Sequence, residues 1–362
     1  MIESFVIKNF KNIEEMNIPR LNRINLIVGK NGVGKSTFLE ALALYVSGGD
    51  RNVISSLLKG RGEFLSDRGD DMGALEQNKE HILTLFRDWR EDYSRKFYLL
   101  VGETEKQAVS IRQVYIEDFK DDEDPTSAQL RLFDEEDMVL DKRNRAEVSS
   151  QGVVIESQGK MSLLRYDKSY ILPRGKILQP IVRTWEFDSD RNADIFDKIA
   201  LSDDEKFIVS ALNIINDDID RITFVSEGYR SRSRIPMVSL KSSGKKVRLS
   251  SMGDGVNRVL TIILSLLNAK GSVLLIDEFE TGLHYSVQKQ LWSIIFMLAE
   301  RLNVQVFVST HSSDTLRSFA YTNVEGTGML IRLEQRKAGI TPVCYEDNDE
   351  ILFAAENDIE LR

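Results

Sequence analysis

The hydrophobic pattern alternates between short apolar runs and helical stripes over most of the chain. Ile24-Asn25-Leu26-Ile27-Val28 ends at Gly29 and reads as a buried strand. A helix is predicted from Lys35 to Val46, with Leu39, Leu42, Ala43 and Val46 on one face, and Gly48-Gly49 stops it. Before it, Ser4 to Lys8 and Ile13 to Ile18 read as strands around a polar turn at Asn9 to Asn12. Beyond residue 190 the regularity returns. Helices are predicted over Asn192 to Ala200 and Asp203 to Asn216, the second with a Phe207, Ile208, Ala211, Leu212 and Ile215 stripe. Strands follow at Ile222 to Val225, Pro236 to Leu240 and Lys246 to Leu249, then a strongly apolar helix from Gly255 to Leu267. Val273 to Ile276 and Val304 to Ser309 read as buried strands on either side of a helix from His284 to Arg301. Met329 to Leu333, Ile340 to Tyr345 and a terminal helix complete the pattern. Strand–helix alternation of this kind predicts an α/β layer architecture.

Residues 49–189 break the pattern. Arg51 to Asp71 is rich in Gly, Ser and charge and reads as a loop with short helical pieces; a helix is predicted over His81 to Tyr93. Lys96 to Gly102, Gln107 to Phe119, Val153 to Ile155 and Ser162 to Tyr166 read as strands, with alternation at Val109, Ile111, Val114 and Ile116. The acidic run from Glu117 to Asp124 reads as a solvated loop. This stretch is predicted to be an insertion, partly antiparallel β with helices, that splits one domain into 1–48 and 190–362.

Composition then removes several classes of function. Among 362 residues there is one cysteine, Cys344, and three histidines, which excludes a disulfide framework and a Cys/His zinc cluster within one chain. The longest apolar run, Val259 to Leu267, is interrupted by Thr261 and Ser265 and falls short of the roughly 18 residues a membrane helix needs. Glu3 and Lys8 fall where a signal peptide would be apolar, so a cytoplasmic protein is expected. The net charge of −9 gives no general attraction to nucleic acid. Arg230, Arg232, Arg234, Lys241, Lys245, Lys246 and Arg248 nevertheless form an acid-free basic stretch. It reads as a phosphate-tracking face for nucleic acid or, with more weight, as the solvated side of an antiparallel sheet or a part that touches nucleotide.

The chemistry concentrates at four places. Gly29-Lys30-Asn31-Gly32-Val33-Gly34-Lys35-Ser36-Thr37 fits G-x-x-x-x-G-K-[ST] between a strand and a helix, the context such a phosphate-binding loop needs. Its N–H groups and the helix start would cradle phosphate, Lys35 would reach the β- and γ-phosphates, and Ser36 would ligate Mg²⁺. Asn31, Gly32, Val33, Gly34 and Thr37 belong to the same cradle. Val273-Leu274-Leu275-Ile276-Asp277-Glu278 delivers two carboxylates at a strand end, Asp277 for Mg²⁺ and Glu278 to activate water. Ser250-Ser251-Met252-Gly253-Asp254-Gly255 at a helix start forms a second anion site, with Ser251, Gly253 and Gly255 as its candidates. Two phosphate surfaces and one Mg²⁺ site suggest pairing of chains. Finally, His311 in Ser309-Thr310-His311-Ser312 would meet the γ-phosphate or the attacking water.

These motifs in this order resemble the ATP-binding-cassette (ABC) superfamily, most nearly the AAA15/AAA21 group of OLD-like ATPases, related to RecF and Rad50 heads. Ile7-Lys8-Asn9-Phe10-Lys11-Asn12, Ser251 to Gly255, Ile276 to His284, Ser309 to Ser312 and Asn357 to Arg362 carry the likeness. It implies a P-loop NTPase head of ABC-ATPase type, with a mixed sheet, N-terminal antiparallel strands and a large inserted α+β segment. It further implies an ATPase that uses ATP and Mg²⁺ and closes head to tail with a second copy of itself. Lys35, Ser36, Asp277, Glu278 and His311 would then act from one chain and Ser251 and Gly253 from the other, with Glu280 to His284 at the contact. The expected role is a switch acting on a separate, nuclease-like effector in anti-phage defence, or else a DNA-repair or chromosome-maintenance ATPase that binds DNA itself. The signature lacks the transporter form Leu-Ser-Gly-Gly-Gln, which argues against a membrane transporter cassette. No glutamine has a secure Q-loop setting (Gln77 lies only in the right interval), and His311 to Arg362 leaves no room for the Toprim nuclease of OLD proteins.

Overall fold

The computed structural model describes residues 1–63, 65, 72–88, 98–120, 128–134, 150–167, 181–183, 188–228, 233–323, 326–337 and 339–357. The first elements are β1 (Phe5–Phe10), β2 (Ile13–Ile18), β3 (Ile24–Val28), α1 (Lys35–Val46), α2 (Arg51–Lys59) and α3 (Met72–Leu83). There follow β4 (Tyr98–Thr104), β5 (Gln107–Lys120), β6 (Ala128–Phe133), β7 (Ser150–Ser157), β8 (Lys160–Arg165) and β9 (Ile181–Val182). Next are α4 (Ser189–Ile199), α5 (Glu205–Leu212), β10 (Ile219–Ser226), β11 (Arg234–Leu240), β12 (Lys246–Arg248), α6 (Asp254–Asn268) and β13 (Val273–Ile276). The chain closes with α7 (Tyr285–Arg301), β14 (Gln305–Ser309), α8 (Ser313–Thr322), β15 (Gly328–Arg336), β16 (Gly339–Tyr345) and α9 (Asn348–Glu356).

The central sheet runs β16-β15-β3-β14-β13-β9, parallel throughout except for the β15–β16 hairpin. Side chains on a strand alternate between faces, and here both faces are buried, which is why these strands read as unbroken apolar runs. Ile24, Leu26 and Val28 of β3, Val306 and Val308 of β14, and Leu274 and Ile276 of β13 join the core beneath α4 to α9. Ile27, Phe307 and Leu275, one residue out of phase, join a second core with α1, α2 and the N-terminal strands. The second sheet, ordered β2-β1-β4-β5-β7-β8 with β6 on β5, covers that other side. A third, antiparallel sheet is β10-β11-β12. The parallel strands β3, β13 and β14 end together, and the motifs follow their C-terminal ends.

Residues 49–189 are stitched into the rest. β4 pairs with β1, and β9 pairs with β13 as the edge strand of the central sheet. The predicted helix at His81 to Tyr93 is displaced: α3 ends at Leu83, and 89–93 lie outside the described residues. Leu85 and Phe86 N–H still donate back to Ile82 O and Leu83 O, but Leu85 O accepts from Lys11 N–H and Arg87 N–H donates to Asn9 O, so the segment leaves the helix for the β1–β2 turn. Phe86, buried there, bridges to Phe10. Helix α8 was not expected from the pattern, although Ser312 caps it by accepting from Thr315 N–H and Leu316, Phe319 and Ala320 form its buried stripe. Of the basic stretch, Arg230 and Arg232 lie outside the described residues. Arg234 is paired with Asp197 and Arg248 with Glu227, so the charge of these two is locally answered, and Lys241 Nζ donates to the backbone Asp217 O. Among the described residues no helix is long and apolar enough to cross a membrane.

Candidate functional site

The loop 29–34 leaves β3 and turns into α1 with Gly34 at φ 105°, a conformation that favours glycine. A Cβ there would also lie 3.2 Å from the Asn12 amide, so the β1–β2 turn closes one wall of the loop. Lys35 Nζ donates to Gly29 O at 2.7 Å and Lys30 O at 3.1 Å, drawing the loop around its own amine. Burial pushes the Lys35 amine below its ordinary pKa, while Glu280, Asp277 and Glu278 pull it back up. Val33, Gly34, Lys35 and Thr37 are buried, whereas Asn31 and Gly32 are exposed. A cleft of about 490 Å³ opens on the other flank of the loop, against Arg332 to Gln335 of β15.

Asp277 sits at the end of β13, its N–H donating to Val182 O of β9. The Ser36 hydroxyl donates to Asp277 Oδ1 at 3.2 Å, and the buried Ser309 hydroxyl donates to the same oxygen. A hydroxyl and a carboxylate are hard oxygen donors of the kind Mg²⁺ takes, so the pair fits that ion. The next residue, Glu278, has φ 48°, a left-handed backbone that costs about 1–3 kcal/mol for a residue other than glycine. Three interactions hold it there. Its N–H donates to Ser309 Oγ at 2.9 Å, its carbonyl accepts from Arg258 at 3.1 Å, and Phe279 N–H donates to Ser309 O at 3.0 Å. Below it, Phe279 is fully buried and stacks on Trp292 with centroids 4.5 Å apart.

Arg258 is the group the sequence reading missed. It projects from α6, is 8% exposed, and donates to Arg183 O, Asp277 O and Glu278 O. Burial pushes its guanidinium below the ordinary value, and Asp277, Glu280 and Glu278 oppose that. Its signal was an arginine inside an otherwise apolar helical stripe. Arg183, which emerges from β9 beside Asp277, was missed as well; Gln77 is exposed on α3. Lys11 and Asn12 were quoted only as part of a resemblance, yet Asn12 abuts the loop and Lys11 Nζ reaches Glu40 of α1 at 2.6 Å.

His311 follows β14, and its backbone N–H donates to Glu280 Oε1. Lys35, Ser36, Asp277, Glu278 and His311 therefore meet at neighbouring ends of β3, β13 and β14. Ser251 and Gly253 do not join them. Both are exposed before α6, and the Ser251 hydroxyl donates to Arg248 O at 2.6 Å. Gly255 serves a packing need in its own chain, since a Cβ there would lie 2.7 Å from Gly282 O.

A mixed α/β sheet with a phosphate-loop sequence after β3 and paired acids after β13 defines the head of a P-loop NTPase. The family model described as "AAA domain, putative AbiEii toxin, Type IV TA system" (AAA_21) matches residues 24–317, and the chain belongs to that family. A Helicobacter pylori protein named ATP/GTP phosphatase is 25% identical over 87% of this chain and 86% of its own length. A Methanocaldococcus jannaschii protein, MJECL10, is 53% identical over 13% of this chain and 22% of its own. Among solved structures, an SMC head bound to the C-terminal winged-helix domain of ScpA superposes with a TM-score of 0.52, at 14% identity, over 95% of this chain and 97% of that one. That likeness is one of fold.

Proposed function

We propose that the protein is an ATP-hydrolysing switch in which two copies close head to tail around ATP and Mg²⁺. Ser36 and Asp277 would hold the ion, which neutralises developing charge on the phosphates; Lys35 binds the β- and γ-phosphates. Among the described residues no set of three or more His, Cys, Asp or Glu gathers for a metal. A cation shared with nucleotide phosphates suits two protein ligands. Glu278 orients and deprotonates the attacking water, and His311 meets that water or the terminal phosphate. Ser251 and Gly253 of the second copy would close the site, with the loop 29–37 supplying backbone donors from the first.

The observation that carries this reading is the division of the motifs. Five candidate residues converge at the C-terminal ends of β3, β13 and β14, while Ser251 and Gly253 stay exposed at a separate helix start. A complete site then needs a second copy. The closed state would act on a separately encoded effector protein in the cytoplasm, and the family's association with a toxin system supports a setting in anti-phage defence. Direct DNA binding draws less support, because Arg234 and Arg248 are already paired with acids.

Glu278→Gln tests the reading. The variant is expected to retain ATP, to hydrolyse it at least about 100-fold more slowly, and to run as a dimer on sizing with ATP and Mg²⁺. A monomer under those conditions would overturn the two-copy site; near-native turnover would overturn the assignment of Glu278.

A further inference from the structure

Glu280 lies three residues beyond Asp277, where the sequence reading placed a contact between heads. Its carboxylate turns instead into its own chain. Oε2 accepts from the Thr310 hydroxyl at 2.6 Å, and Oε1 accepts from the His311 backbone N–H at 2.9 Å. The same Oε1 lies 2.8 Å from His311 Nδ1. The Glu280 side chain is only 12% exposed, against 45% for His311. One carboxylate thus ties the loop after β13 to the loop after β14.

Both partners are anchored from below. The residue before Glu280 is Phe279, locked under Trp292. The residue before His311 is Thr310, fully buried, whose N–H donates to Ile27 O of β3 at 3.0 Å. Of the acids acting on Lys35, Glu280 acts most strongly, ahead of Asp277 and Glu278.

We propose that Glu280 is the positioning residue for His311, fixing both the direction of the imidazole and the nitrogen that carries its hydrogen. A carboxylate only accepts, so the nitrogen facing it must donate: Nδ1 carries the hydrogen. Nε2 then keeps its lone pair, able to accept a hydrogen bond from the attacking water, and it donates to a phosphate oxygen only when the ring takes up a second proton there. A free histidine side chain in water favours hydrogen on Nε2, so Glu280 selects the other form before nucleotide arrives. A catalytic base oriented by a third group follows the same logic in unrelated enzymes. The proposal rests on the reading of His311 as the residue that meets the attacking water or the terminal phosphate.

Nitrogen-15 NMR of histidine-labelled protein reads the tautomer without nucleotide. The chain has three histidines, so His81→Gln and His284→Gln suffice to assign the signal of His311. In the native chain Nδ1 of His311 is expected to be protonated. In Glu280→Ala it is expected to lose that hydrogen to Nε2, with the other two signals unmoved. Steady-state hydrolysis then supplies a double-mutant cycle. Glu280→Ala and His311→Ala should each lower kcat by about 100-fold at little change in KM, and the double variant should be no slower than His311→Ala. An unprotonated Nδ1 in the native chain, an unchanged tautomer in Glu280→Ala, or losses in kcat that multiply would overturn the proposal. If Glu280→Ala does not fold, Glu280→Gln keeps an acceptor oxygen without the charge, and a protonated Nδ1 pulled less strongly downfield is the result expected; an identical signal counts against the pairing. Should His311→Ala hydrolyse ATP at the native rate, the reading of His311 fails, while the tautomer still decides the role of Glu280.

Discussion

Glu40 shows how single residues hold this site in shape. It lies one turn beyond Ser36 on α1, is 2% exposed, and meets Lys11, Arg61 and Arg183 from three separate segments. Burial pushes its carboxyl up, but Lys11, Arg61 and Arg183 outweigh burial and hold it below the ordinary carboxylate value of 4.5. A depressed carboxyl stabilises the fold fully above its unfolded pKa and loses that contribution as pH falls through the folded one. Glu40→Ala removes the carboxylate that meets the buried Lys11 and Arg183, and the expected cost is about 3–5 kcal/mol. Urea unfolding at pH 7 checks this. Between pH 7 and pH 3 the native chain should lose more stability than the variant, because the variant has no such carboxyl to protonate; parallel losses would contradict the assignment.

At the scale of elements, α6 connects the exposed Ser251–Gly253 surface to the carboxylates. Its first turn packs on Gly282 through Gly255, and Arg258 one turn later grips the ends of β9 and β13. Gly255→Ala forces a methyl against the Gly282 carbonyl, and backbone has little room to yield. The variant is expected to melt several degrees lower, as about 1–3 kcal/mol of overpacking would require, while fluorescent nucleotide still binds the loop at 29–37. An unchanged melting temperature would show that α6 and the Gly282 loop separate freely.

Most of these elements were legible because the central strands are buried on both faces and stand out as apolar runs. Helix α1, β3 and β13 fall where the pattern places them, and the terminal β15–β16 pair is extended in the predicted region. What escaped has a physical cause in each case. β9 consists only of Ile181 and Val182 and owes its strand character to pairing with β13. The segment after Leu83 has apolar residues at helical spacing, but backbone hydrogen bonds with Asn9 and Lys11 across the chain draw it out of the helix. Glu280 and Arg258 were visible as residues, yet their partners are backbone and side-chain atoms on other strands, which spacing alone does not bring together.

For the whole molecule, the account reduces to whether one chain contains everything that hydrolysis needs. The proposed division leaves Lys35, Ser36, Asp277, Glu278 and His311 on one copy and Ser251 and Gly253 on the other. The same conclusion bears on regulation, because an effector that separates or joins the two copies would then control turnover without touching nucleotide. The most direct measurement is the rate of ATP hydrolysis per chain across a wide dilution series, with mass followed in parallel by light scattering. The account predicts that the rate per chain collapses as the dimer disappears, and that a mixture of inactive Lys35→Ala and Ser251→Arg chains recovers activity at one of its two sites. A constant rate per chain down to concentrations where only monomer scatters would contradict it.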